Sequence, residues 1–249
     1  KLEGAVTSAM VHLGDHLVLY KALARADSPL TTAQLAHSTG LHERWVREWC
    51  YNQASAKLIS FSSAPSTSPT VGDDSFFLSP EQRAVLADDE HPAFGMGMFH
   101  RLPQTMNAVT RMPESFRTGL GHDYDSHGPE GAVGIERSFE PWNKAFLLPV
   151  VLPALGNMVE RLQNGAAVAD VGCGAGSAVM LMAEAFPAST FAGYDISQYA
   201  LARARAKVDA SSLTNVAFHD PRDVALPGDQ SLDLVCTFDC IHDMAHPQD

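Results

Sequence analysis

Asp170, Gly172, Gly174 and Gly176 occupy alternate positions in Val168-Ala169-Asp170-Val171-Gly172-Cys173-Gly174-Ala175-Gly176. The residues leading into the first glycine read as a buried strand. Val179, Met180, Met182, Ala183 and Phe186 then recur at helical spacing over Ser177–Phe186. A strand, a glycine turn and a helix make a nucleotide-binding corner. Glycine lets the backbone turn tightly and approach a ligand that a Cβ would exclude, and the helix N-terminus offers unpaired N–H groups. A dinucleotide fingerprint has the spacing G-x-G-x-x-G, with its pyrophosphate on the helix N-terminus. Here an acid stands two positions before the first glycine. Its charge repels a pyrophosphate and welcomes a cationic amino-acid end.

The elements that must hold this corner follow in order. Thr190–Ser197 reads as a second strand ending in Asp195, roughly 20 residues after the glycines, where Rossmann-like folds place a carboxylate on ribose hydroxyls. Asn215–His219 reads as a third strand, followed by Asp220. Ser231–Phe238 reads as a fourth, followed by Asp239-Cys240-Ile241-His242-Asp243-Met244. For each acid the competing reading is a helix cap or turn residue.

The Asp-x-Gly-x-Gly-x-Gly run resembles the first motif of class I S-adenosylmethionine (SAM) methyltransferases. Nearly the whole chain resembles bacterial-type class I methyltransferases fused to a winged helix. The likeness rests on Gly14-Asp15-His16-Leu17-Val18-Leu19-Tyr20, Arg44-Trp45-Val46-Arg47-Glu48-Trp49, Val85-Leu86-Ala87-Asp88, the glycine turn, and Phe238-Asp239-Cys240-Ile241-His242-Asp243-Met244, the most specific of them. It implies SAM as cofactor and a small-molecule methyl acceptor, with oxygen the favoured target. It further implies that Asp170 and the backbone of Gly172, Cys173 and Gly174 hold the methionine end. Asp195, with Ile196 next to it, would serve the ribose, Asp220 the adenine amino group, and Phe238 and Asp239 would border the sulfonium. Plant-type small-molecule O-methyltransferases carry a similar His-Asp pair in this region, with the His as base. His242 is the counterpart here, and a histidine titrates near neutral pH. The competing reading makes His242-Asp243 a cap for a following helix. Such domains have seven strands, so a chain ending at Asp249 after the fourth is expected to be truncated, with an open apolar edge, weak SAM binding and no turnover.

Composition narrows the choices. A chain of 249 residues holds one large domain or two small ones, and its 45% apolar fraction is ordinary for a globular protein. The net charge of −12 argues against nucleic-acid or anionic-membrane surfaces, which need clustered Lys and Arg. Cys50, Cys173, Cys236 and Cys240 form no paired C-x-x-C pattern, which suits a reducing, cytoplasmic setting. No apolar run reaches transmembrane length. The loop Gly119–Gly134 gathers His122, Asp123, Tyr124, Asp125 and His127, but no spacing matches a zinc site. No metal is expected, and the loop reads as a lid.

The front of the chain reads as a winged helix. Leu2–Ala26 has one broad apolar face, interrupted at Gly14-Asp15 by a break or a close helix contact. Ser28-Pro29-Leu30 reads as a turn. Thr31 or Thr32 caps a short helix that ends at Gly40, and a longer helix opens at Leu41-His42-Glu43. Leu58–Ser62 and Ser75–Leu78 read as short strands around a mobile Ser/Pro/Thr-rich loop, Ser63–Asp74. DNA reading needs a basic stripe, yet Glu43 and Glu48 accompany Arg44 and Arg47, and Asp73, Asp74, Asp88, Asp89 and Glu90 follow. A homodimer through this domain is the expected role, with Trp45 and Trp49 in core or interface. The Met-rich stretch Glu90–Gly119 reads as core, with a substrate wall as the alternative, and Pro149 and Pro153 should kink or divide the helix Gly134–Leu162.

The expected fold is therefore α/β: a winged helix over residues 1–90, a helical linker or lid over 91–160, and the first half of a Rossmann-like methyltransferase domain over 161–249. The alternative functions are a SAM-sensing, DNA-binding transcriptional regulator and an NAD(P)-linked oxidoreductase, the latter opposed by the acid before the glycines.

Overall fold

The computed structural model describes residues 1–63, 74–244 and 248. Two compact units divide the chain, Lys1–Pro103 and Gln104–Asp249. Among the described residues, no single helix is long and apolar enough to cross a membrane.

The first unit contains α1 (Leu2–His16), α2 (Leu19–Arg25), β1 (Leu30–Thr31), α3 (Thr32–Thr39), α4 (Glu43–Ser55), β2 (Ser60–Ser62), β3 (Ser75–Phe77), α5 (Pro80–Leu86) and α6 (Met96–His100). The expected long first helix breaks at Val18, whose φ of 55° turns the chain between α1 and α2. Gly14 also serves a close contact: a Cβ there would lie 2.6 Å from the Trp49 ring. Trp49 Nε1–H donates to the Met10 carbonyl at 2.9 Å, so α1 and α4 are both packed and hydrogen-bonded. Thr31 and Gln34 form a capping box at the start of α3, and Gly40, at φ 71°, ends it. Leu19, Tyr20, Leu35, Val46, Trp49, Cys50, Ile59 and Phe76 close the core. Inside it, the Tyr20 hydroxyl donates to the fully buried Gln53 side chain.

The winged-helix sheet has three strands in the order β1-β3-β2, all antiparallel. The Ser28-Pro29-Leu30 turn thus runs into a strand at Leu30, which pairs with Phe76. Of the expected Ser63–Asp74 loop, residues 64–73 lie outside the described residues, and Asp73 with them. Of the Met-rich stretch, Met96 is buried in the core, but Met98, Met106 and Met112 are exposed.

The second unit continues with α8 (Met112–Thr118), α9 (Gly128–Phe146), α10 (Met158–Asn164), β4 (Ala167–Val171), α11 (Ser177–Ala185), β5 (Thr190–Tyr194), α12 (Gln198–Asp209), β6 (Val216–His219) and β7 (Leu234–Thr237). Helix α7 (Leu102–Ala108) straddles the division. The four strands are all parallel, in the order β6-β5-β4-β7. Val168, Val179, Met182, Phe191, Leu201 and Phe218 bury the sheet against its helices, each contributing about 1.5–3 kcal/mol by leaving water. The Asn215 carboxamide donates to the carbonyls of Ala183, Phe186 and Ser189, which ties the end of α11 to the start of β6. The helix α9 starts at Gly128, six residues before Gly134, because Pro129 fits the first helical turn. At its far end, Pro149 lies in a π-helical turn (Leu147–Val151) and Pro153 in a 3-10 turn (Leu152–Ala154), so the helical run is divided as expected.

Candidate functional site

Because the sheet is parallel, the carboxyl ends of its strands line up. Val171 stands opposite both Tyr194 and Thr237, and Tyr194 opposite His219. The residues that follow each strand therefore share one edge, which is where open α/β sheets take ligands.

The glycine turn is built for close approach. Gly172 and Cys173 donate their N–H groups to the Tyr194 carbonyl at 2.8 and 3.0 Å, closing the turn onto β5. Gly172 has φ 74°, and a Cβ on it would meet Cys240 at 2.5 Å. Gly174 also has a left-handed φ, 54°, yet nothing lies within 4 Å of where its Cβ would stand. One glycine is demanded by packing, the other leaves open space at the strand ends.

Asp170 is the anomaly of the site. It is 2% exposed, and its Oδ1 has no hydrogen-bond partner among the described residues. Burial, reinforced by the nearby Asp195 carboxylate, pushes its carboxyl up to about 8. The thiols around it are raised for the same reason: burial first and then Asp170 lift Cys173, Cys236 and Cys240, with Cys236 at about 12. Cys240 donates its S–H to the Val171 carbonyl at 3.0 Å.

Asp195 is better satisfied. Its Oδ2 accepts from Gly174 N–H at 2.7 Å and its Oδ1 from Ser197 N–H at 2.8 Å. Burial still raises its carboxyl, opposed by these backbone bonds and aided by Asp125. A carboxylate has about four acceptor positions, so it keeps capacity for two hydroxyl donors. Ile196 is half exposed, and its carbonyl accepts from Arg222 Nη2 at 2.8 Å.

Asp220 has the opposite surroundings from Asp170. Arg222 donates to it from Nε at 2.8 Å, from Nη2 at 2.6 Å and from its own backbone N–H at 2.9 Å. Those bonds hold the Asp220 carboxyl down to about 2. Phe238 packs half-buried against the core. Asp239 adopts φ 57°, a left-handed conformation uncommon outside glycine but tolerated best by Asn and Asp. His242 is in a 3-10 turn, Ile241–Asp243, with its side chain 63% exposed. Its Nδ1 is 3.6 Å from Asp239 Oδ1 and its Nε2 3.5 Å from Asp243 Oδ1. The structure thus gathers Asp170, Gly172, Cys173, Gly174 and Asp195 into one corner and holds Ile196 and Asp220 through Arg222. His242 keeps company with Asp239 and Asp243.

Two participants were not singled out in the sequence. Arg222 is one. Asp125 is the other: it accepts from Ser197 Oγ at 2.6 Å and from Gln198 N–H at 3.0 Å, capping α12 beside Asp195. It lies in the His/Asp loop, but a helix start 72 residues downstream leaves no local signal in the sequence. Behind them, the buried Glu136 of α9 pairs with Arg203 and Lys207 of α12. Burial opposes its ionisation, but those two cations hold its carboxyl below the usual range.

Both parts of the chain match known domain families. Residues 162–249 match the family described as a methyltransferase domain, and residues 5–87 match the Rv2258c-like winged HTH domain. No curated protein matches the chain in sequence. Among solved structures, human N-acetylserotonin methyltransferase in complex with SAM is similar at 17% identity and TM-score 0.62, over 98% of this chain and 70% of that one. Mitomycin 7-O-methyltransferase gives 20% identity and TM-score 0.63, over 98% and 70%. An O-methyltransferase family protein from Burkholderia thailandensis gives 17% and 0.63, over 96% and 68%. These likenesses carry the fold. With a parallel sheet and an acid-and-glycine turn after its first strand, residues 162–249 form a methyltransferase domain that follows an Rv2258c-like winged HTH domain over residues 5–87.

Proposed function

We propose that the chain transfers the methyl group of SAM to an oxygen atom of a small molecule. The observation that carries this reading is the Asp170 carboxylate, buried with one oxygen unpartnered at the turn. A buried, unpaired acid is costly. A diphosphate beside it would add like charge, whereas an ammonium group offers both opposite charge and N–H donors. When bound, SAM supplies such an ammonium together with a methyl group on a sulfonium. In this reading Asp170 and the backbone of Gly172, Cys173 and Gly174 hold the amino-acid end, Asp195 accepts from the ribose hydroxyls, and Asp220 faces the adenine. Ile196 borders the ribose and adenine, while Phe238 and Asp239 border the reacting centre.

Methyl transfer asks chiefly for in-line placement of the nucleophile. An oxygen acceptor must also lose a proton, and His242 is the group proposed to take it. Its high exposure means that the acceptor itself would have to cover the ring. The free thiols of Cys50, Cys173, Cys236 and Cys240 support a reducing, cytoplasmic setting. Trp45, 71% exposed beside Leu13 and Leu17, supports a second copy of the chain as the partner of the winged helix.

Calorimetric titration with S-adenosylhomocysteine (SAH) and with NADH tests the reading. Heat from SAH alone supports it, and heat from NADH alone overturns it. A SAM-sensing DNA-binding regulator is the second reading, favoured by the winged HTH match over residues 5–87. Retention on duplex DNA at moderate salt would select it.

A further inference from the structure

His12 and His16 stand one helical turn apart on α1, so their side chains share a face. Their rings stack, with centroids 5.9 Å apart and planes 13° from parallel. His12 Nδ1 is 2.9 Å from the Phe99 carbonyl of α6. A carbonyl can only accept, so a neutral His12 carries its proton on Nδ1 and keeps a lone pair on Nε2. Metal-binding histidines are prepared in this way, with one nitrogen tied to a carbonyl and the other left basic. His16 is exposed at the last position of α1, where the carbonyl end of the helix dipole favours a cation. Two histidines at this spacing on one helix face are also the ligand pair that zinc-binding helices use.

We infer that His12 and His16 form a two-histidine site for a borderline divalent ion of the class of Zn2+, Ni2+ and Cu2+, which imidazole nitrogens suit. His12 Nε2 and one ring nitrogen of His16 each approach the ion to about 2.0–2.1 Å. A turn of the exposed His16 ring brings the two lone pairs together. Among the described residues no third His, Cys, Asp or Glu joins the pair, so water completes the coordination. The site lies within the first unit and does not depend on the SAM reading. Its effect falls on α1. An ion held by both residues staples the last turn of that helix, just before the chain changes direction at Val18. Gly14, between the two ligands, packs against the Trp49 ring, so the staple also steadies the contact of α1 with α4.

The test titrates zinc chloride into the full chain by calorimetry, with magnesium chloride as the hard-cation control. The tightest Zn2+ bound by the wild type should resist Mg2+, and His16→Ala should weaken it roughly 100-fold, the scale gained when two linked ligands act together. His12→Asn should weaken it as much. Its amide N–H can still donate to the Phe99 carbonyl, but nothing replaces Nε2, so folding and ligation are separated. Amide exchange at Leu17, whose N–H donates to the Leu13 carbonyl at 2.9 Å, should slow on adding Zn2+ to the wild type and not to either variant. Tight Zn2+ binding that survives either substitution, exchange at Leu17 that ignores Zn2+, or no Zn2+ binding by the wild type overturns the site.

Discussion

On α4, Arg44 pairs with Glu48 and Arg47 with Glu43, each one helical turn away. At the end of β4, by contrast, Asp170 keeps an oxygen with no hydrogen-bond partner among the described residues. The first region settles its charges locally, with the Thr32 hydroxyl of α3 adding a bond to Glu43. The second leaves a buried carboxyl unsatisfied, which burial keeps protonated up to about pH 8. A basic residue count alone would rank α4 as the binding surface, yet its arginines are neutralised locally. The unsatisfied group, rather than the abundant one, marks where a ligand is needed.

That contrast can be broken most decisively at Asp170. Asp170→Asn should weaken SAH binding roughly 100-fold, the scale for losing one member of a buried charge pair. The pH dependence follows from its carboxyl at about 8. Its folded value is raised above the unfolded one, so its contribution to stability is full below about pH 4 and is lost as pH rises to about 8. Wild-type apo protein should therefore melt lower at pH 8.5 than at pH 5.5, and Asp170→Asn should melt higher than wild type at pH 8.5, by about 5 °C. Binding of an ammonium requires the ionised acid, so SAH affinity should climb with pH until about 8. Proton release measured in buffers of different ionisation heat checks the sign. A flat profile in the wild type would place the anomaly elsewhere.

The next effect belongs to chemistry rather than binding. His242→Ala should leave SAH affinity unchanged and lower turnover with an accepted substrate by ~100-fold, the scale of a lost general base. Unchanged turnover would remove His242 from the reaction.

Smaller again is the difference between two glycines. Gly172→Ala meets Cys240 and combines strain with a clash, whereas Gly174→Ala meets open space and pays only for its left-handed backbone. Denaturant unfolding should show a loss of about 1–2 kcal/mol for Gly174→Ala and a larger one for Gly172→Ala. If the turn faces a ligand, Gly174→Ala should still weaken SAH binding although its fold persists. Smallest of all is α4: a double-mutant cycle on Glu43 and Arg47 should give only a weak coupling, which salt would reduce.

Much of this was legible in the sequence because its causes are local. The glycine turn, the strand before it and the helix after it lie within about twenty residues, and caps such as Thr31 and Gly40 act on their own helices. What escaped is non-local or too short to show a period. The strand β1 has two residues, and its partner Phe76 is far along the chain. Gly128 and Pro129 signalled a loop because glycine and proline usually do, although proline suits a first helical turn equally well. Arg222 was passed over because its value comes from reaching Ile196, 26 positions away. In the Met-rich stretch composition said core, but only Met96 of Met96, Met98, Met106 and Met112 was given a neighbour to pack against in the buried set.

Asp125 carries a consequence for the stability of the first turn of α12. That turn is capped locally by Ser197, whose Oγ accepts from Ala200 N–H, and also by Asp125 from 72 positions upstream. Asp125→Ala should therefore leave the local cap in place and speed amide exchange at Gln198, whose N–H donates to Asp125.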